Sequence, residues 1–112
     1  MGPEEHGPPI ELRAFRGSRR ASVYRAHVVT GEALERILAV GGEHGLGLLS
    51  SLDPIGPHEL DKGGAQQLAH EVDSLRRGAH LLELDRDLIA IGELARWCAR
   101  TSGRSWLTIA LS

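Results

Sequence analysis

The stretch that decides the fold is residues 48–75, LLSSLDPIGPHELDKGGAQQLAHEVDSL. An apolar run ends at Asp53-Pro54, because the residue before proline is pushed out of the helical region. A polar turn with Gly56 and Pro57 follows. Asp61 is then placed to cap a helix over about 63–76, whose apolar stripe is Ala65, Leu68, Val72 and Leu75. Arg76 and Arg77 fall at its C-terminal end, where cations complement the helix dipole, and Gly78 stops it.

Working outward, Thr30-Gly31 reads as the cap of an earlier helix with the stripe Ala33, Leu34, Ile37 and Leu38. Gly41-Gly42 reads as its stop. Leu46, Leu48, Leu49 and Leu52 read as a short buried segment, strand or extended. Downstream, Asp85 starts a third helix over about 86–102, with Asp87 in its first turn and Leu84, Leu88, Ile91, Ala95 and Cys98 as its stripe. Gly92 lies inside that helix at a cost of about 1 kcal/mol relative to Ala, and a close helix crossing would explain it. Gly103 suits the position beyond its end. Residues 106–111 read as a strand with Leu107, Ile109 and Leu111 on one face and Trp106 turned away.

Upstream, Ile10 to Ala14 alternates as a short strand and Gly17 to Arg20 is a turn. Ser22 to Val29 is a second strand, with Tyr24, Ala26 and Val28 on one face. Residues 1–9, with three Pro and two Gly, read as a mobile tail. The expected molecule is therefore one α+β domain over 10–112. A small antiparallel or mixed sheet carries about three helices on one face, in the order β-β-α-(β)-α-α-β.

At 112 residues, 41% apolar and 25% charged, the chain has the composition of an ordinary globular domain. Aromatics are few, so the core must be built from Leu, Ile, Val and Ala. Net charge is −2, unevenly spread. Residues 10–27 hold Arg13, Arg16, Arg19, Arg20 and Arg25 against Glu11 alone, whereas residues 31–96 hold twelve acids against six bases. Cys98 stands alone and excludes an internal disulfide. The start of the chain has no basic and apolar leader, and no run is long enough to span a membrane. These features predict a cytoplasmic protein.

The pieces Leu52-Asp53-Pro54-Ile55-Gly56, Leu68 to Leu75, Leu94 to Cys98 and Leu107 to Leu111 together resemble a family of small actinobacterial proteins. In that family an apolar run leads to an Asp-containing turn, then a helix, a Cys-bearing helix and a C-terminal strand. The likeness covers roughly residues 33–111. Ile55 stands where the family tends to have Tyr, and Pro57-His58 replaces its acidic and Thr residues. The family has no established activity, so the resemblance implies an order of elements and no chemistry.

Asp53, His58, Glu59, Asp61 and His70 are competent metal ligands within eighteen residues. They match no ligand spacing, and Asp53 and Asp61 already have turn and cap roles. Cys98 falls on an apolar stripe and reads as core rather than as a nucleophile. Ser50-Ser51 lacks the Gly-x-Ser-x-Gly elbow. Gly41-Gly42 and Gly45-x-Gly47 lack the Gly-Lys-Ser/Thr of a phosphate loop. The Arg13–Arg25 cluster could meet phosphates, but an overall pI near 6.3 disfavours a nucleic-acid module. Arg19-Arg20-Ala21-Ser22 fits a basophilic phosphosite pattern, which a strand at Ser22 would shield.

Exposed Trp beside Arg is a composition typical of protein interfaces. Arg16, Arg19, Arg20, Trp97 and Trp106 are therefore the expected partner-binding residues. The function expected is a non-enzymatic protein-binding module, adaptor- or immunity-like, without a cofactor. An exposed C-terminal strand would also allow a homodimer. The alternatives are a metal-dependent enzyme built on 53–70 and a nucleic-acid binder built on the Arg cluster.

Overall fold

The computed structural model describes residues 9–17, 23–53, 56–78 and 81–111. Residues 1–8, 18–22 (with Arg19, Arg20 and Ser22), 54–55, 79–80 and 112 lie outside the described residues, and with them most of the expected N-terminal tail and the expected basic turn. The element order is β1 (Pro9–Arg16), β2 (Val23–Thr30), α1 (Gly31–Glu43), α2 (Gly47–Ser51), β3 (His58–Leu60), α3 (Lys62–Gly78), a 3-10 turn at Leu82–Leu84, α4 (Asp85–Arg100) and β4 (Ser105–Leu111). This is a small α+β fold. Its four strands form one open antiparallel sheet in the order β2-β1-β4-β3.

Alternation in the strands sets the two faces. Leu12 lies between His27 of β2 and Ile109 of β4, and Ala14 lies between Arg25 and Leu107. Leu60 of β3 also opposes Leu107. Ile10, Leu12, Ala14, Val29, Leu60, Leu107 and Ile109 are all buried on this inner face. The helices bring Leu34, Ile37, Leu49, Leu68, Val72, Leu75, Leu88, Ile91 and Cys98 into the same cluster. Full burial of each large aliphatic side chain contributes about 1.5–3 kcal/mol, so this core does not depend on aromatics. The opposite face carries Glu11, Arg13, Phe15, Ala26, Val28, Trp106, Thr108 and Ala110; no described helix packs on it, and Phe15 is its one buried residue among these. Antiparallel sheets commonly leave one face to water.

The caps follow the sequence at two places. The hydroxyl of Thr30 accepts from the N–H of Ala33 at 3.0 Å, and the carboxylate of Asp61 accepts from the N–H of Gly64 at 2.8 Å. Asp85 is the first residue of α4, as the sequence indicates; Leu84 holds the cap position without a side-chain bond, and Asp85 accepts from Nε of Arg76 at 2.8 Å.

Three expectations are overturned. Gly41-Gly42 does not stop α1, which runs on to Glu43. The stop is Gly45 at φ +71°, with the N–H of Leu46 donating to Gly41 O at 2.9 Å and that of Gly45 to Gly42 O at 3.1 Å. This paired closure satisfies the last carbonyls of the helix. Gly41 is buried because α2 crosses it: a Cβ there would lie 2.6 Å from Leu49 Cβ. Secondly, residues 47–51 are a helix, not a strand, and a short strand, β3, forms where a turn alone was expected. Glu71 of α3 makes α2 possible. This residue is 7% exposed, and its carboxylate accepts from the N–H groups of Leu48 at 2.9 Å and Leu49 at 2.8 Å. Thirdly, β4 is not an exposed strand: it lies between β1 and β3, so it cannot pair edge to edge with a second copy.

Candidate functional site

The basic cluster read from residues 13–25 is split by strand alternation. Arg13 lies on the uncovered face and is held by Glu11 at 2.6 Å. Arg16 lies at the end of β1, opposite Ser105. Arg25 faces α4 and donates to Glu93 at 3.0 Å. His27, two residues on and on the same face, meets Asp87 of α4 at 2.9 Å. Edge strand β2 is thus tied to α4 by two polar pairs.

The two tryptophans are also separated. Trp106 is half-buried on the uncovered face opposite Phe15. Trp97 is half-buried on α4 and packs against the core. They lie on opposite sides of the sheet and form no common patch.

Among the metal-ligand candidates, Asp53 and His58 meet across the turn. Nε2 of His58 lies 3.7 Å from a carboxylate oxygen of Asp53 and 3.1 Å from its backbone oxygen. Asp61 is occupied as a cap, and His70 belongs to a different surface. Among the described residues no three His, Cys, Asp or Glu side chains gather as a metal-holding set. Cys98 is buried, and burial pushes its thiol up, away from the thiolate. Ser105 beside it donates its hydroxyl to Cys98 O at 2.6 Å.

Two adjoining depressions flank the C-terminal half of α4. One, of about 340 Å³, lies between α3 and α4 and is lined by Gln66, His70, Asp73, Arg96, Ala99 and Arg100. The other, of about 520 Å³, lies between α4 and β2 and is lined by Arg25, Glu93, Arg96, Trp97, Arg100 and Thr101. Arg96 and Arg100 are shared by both and form the ridge between them. Glu93 is held by Arg25, and Asp73 is held by Arg77 at 2.7 Å. Among the described residues neither Arg96 nor Arg100 makes a hydrogen bond or ion pair. The ridge therefore carries two uncompensated positive charges on a chain of net −2.

Gly92 belongs to this arrangement. A Cβ at Gly92 would meet Nη1 of Arg96 at 3.2 Å, Nη2 at 3.6 Å and Cζ at 3.7 Å. Its close neighbour is a guanidinium folded back along α4, not the crossing helix that the sequence suggested. Gly92, Arg96 and Arg100 fall at spacings of four and so share one stripe of the helix. That stripe was visible in the sequence, but it is polar and lies outside the apolar pattern that defined the helix.

The fold and site define a class: a small α+β domain with an open antiparallel sheet, helices on one face and a cationic ridge between two depressions along its last helix. No family model, curated protein or solved structure matches the chain. Among the described residues no helix is long and apolar enough to cross a membrane.

Proposed function

We propose that this chain is a non-enzymatic protein-binding module, adaptor- or immunity-like in class, which docks an acidic segment of its partner in the depression between α4 and β2. The observation that carries this reading is the half-buried Trp97 in a depression lined by Arg25, Arg96 and Arg100. Tryptophan and arginine dominate the energetic centres of protein interfaces, because one supplies rigid apolar area and the other a planar fork of donors. The partner surface assigned from sequence, with Arg16, Arg19, Arg20, Trp97 and Trp106 together, is narrowed in this reading to Trp97 and its arginine neighbours.

A photo-crosslinking residue at Thr101, inside the depression, should yield one stoichiometric cross-linked protein in cells. The same residue at Ala26, on the uncovered sheet face, should yield none. Cross-linking from Ala26 alone, or from neither position, would overturn the reading. The contact of Asp53 with His58 is the remaining support for a metal-dependent enzyme, and metal analysis of the purified protein tests it. Nucleic-acid binding through the arginines would be steeply salt-dependent.

The same reading places the protein in the cytoplasm and keeps the actinobacterial family as its proposed relative through the Asp53 turn and the Cys98 helix. Any pairing of two copies by strand addition is assigned to the β2 edge, and the sedimentation mass tests it.

A further inference from the structure

Gly92 is a costly residue in the middle of a 16-residue helix. In most such cases a second helix or a turn requires the absence of a Cβ. Here the three nearest heavy atoms all belong to the Arg96 guanidinium. The missing side chain makes room for a cation that has no ion-pair partner among the described residues. The guanidinium is thereby held down along α4, beside Arg100 one turn further on and facing His70 across the depression between α3 and α4. We propose that this depression is a binding site for a tetrahedral oxyanion, a phosphate group either free or carried as a monoester, gripped by Arg96, Arg100 and His70.

Charge and geometry both point to phosphate rather than to a single carboxylate. Asp73 lines the site, but Arg77 neutralises it at 2.7 Å, so Arg96 and Arg100 leave a local charge of about +2. A phosphate monoester carries about −1.5 to −2 at neutral pH. The C-terminal end of α4 opposes an anion with only about half an elementary charge, so the guanidiniums prevail. A carboxylate is satisfied by one bidentate arginine, whereas two guanidiniums and an imidazole from two helices match a group with three or four acceptor oxygens. The depression, of about 340 Å³, is large enough for the phosphate and the first atoms of whatever carries it.

The site does not depend on protein docking at Trp97, because its first probe is inorganic phosphate without any partner. Calorimetric titration of phosphate should show saturable binding to the wild type. Arg100→Gln should weaken it about ten-fold or more, as expected for the loss of a charge-assisted hydrogen-bonding group.

Gly92→Ala is the sharper variant. The added methyl displaces the Arg96 guanidinium, which is flexible and can move, while Ala favours the helix. The variant should melt at the same or a higher temperature than the wild type and yet bind phosphate several-fold more weakly. A phosphoserine peptide that binds more tightly than inorganic phosphate would place the group on a protein; equal affinity would indicate the free ion. Undiminished phosphate binding by Gly92→Ala and Arg100→Gln would overturn the proposal. So would acetate binding as tightly as phosphate, or no saturable binding to the wild type.

Discussion

Single residues set the local geometry by the atoms they touch, and Glu71 illustrates this best. Its buried carboxylate accepts from Leu48 N, Leu49 N and Nε2 of Gln67, so it serves as the N-terminal cap of a helix twenty-two residues upstream. Glu71→Gln keeps the shape but replaces one acceptor oxygen with a donor facing a backbone N–H. Urea denaturation should show a loss of about 1–3 kcal/mol. Gly41 and Gly42 should respond in opposite ways although they are neighbours. Ala at 41 would drive its Cβ into Leu49 and should cost about 1–3 kcal/mol, despite the better helix propensity. Ala at 42 meets only Ser50 Cβ at 3.8 Å and should be neutral or stabilising by about 0.5–1 kcal/mol. Thermal melts of the two variants decide it. Cys98 adds a pH dependence. Burial raises its native thiol pKa, whereas the unfolded thiol ionises near about pH 8.5. Its contribution to stability is present below that pH and falls as pH rises above it, because only the unfolded chain then releases the proton. A Cys98→Ala variant should show a shallower decline between neutral and alkaline pH.

Elements were legible where a pattern belonged to one segment alone. α1, α3 and α4 each carry an apolar stripe long enough to fix the 3.6-residue period, and β1, β2 and β4 alternate over enough residues to be recognised. Residues 46–52 failed this test: four leucines in seven residues fit a strand as well as a helix. The chain takes the helix because Glu71 satisfies the orphan N–H groups of α2 from across the core, a contact that local periodicity does not encode. β4 was recognised as a strand, but its place was not. It is hydrogen-bonded on both sides, to β1 along its full length and to β3 at Ile109, Thr108 and Leu107. Truncation after Gly103 should therefore abolish the fold and not merely an interface. Circular dichroism and amide shift dispersion of the shortened chain should be those of an unfolded protein. A folded 103-residue chain would show that the sheet tolerates losing its inner strand.

At the scale of the whole molecule, the buried apolar residues among those described fall in one contiguous cluster, except Phe15 on the other face of the sheet, and no described helix packs apart from it. One cooperative unfolding transition is the expected consequence. The two tryptophans report on opposite sides of the sheet, so single-tryptophan variants provide the test. With Trp106→Phe, the fluorescence of Trp97 follows the helical layer; with Trp97→Phe, that of Trp106 follows the uncovered sheet face. The two denaturation midpoints, each corrected by circular dichroism of the same variant, should coincide with the loss of secondary structure. A fluorescence midpoint displaced from the dichroism midpoint in either variant would reveal separate unfolding of helices and sheet. Charge also acts at this scale. The basic N-terminal third looked like a single patch in the chain, but alternation sends Arg13 to one side of the sheet and Arg25 to the other. The positive ridge that does form is built largely from α4, at Arg96 and Arg100, at and just beyond the end of the segment that had looked acidic.

The sequence by itself determined the class and most element boundaries: the alternating strands, the three striped helices, the Thr30 and Asp61 caps and the outward turn of Trp106. Each of these is set by the period of one segment or by a side chain bonding to backbone three residues away. Only the tertiary structure decided that β4 lies inside the sheet, that Gly41 accommodates Leu49, that Glu71 completes α2, and that Arg96 and Arg100 form a ridge facing His70 on one side and Arg25 on the other. Those features depend on which elements pack together and at what register, and packing between segments far apart in the chain leaves no period in either one.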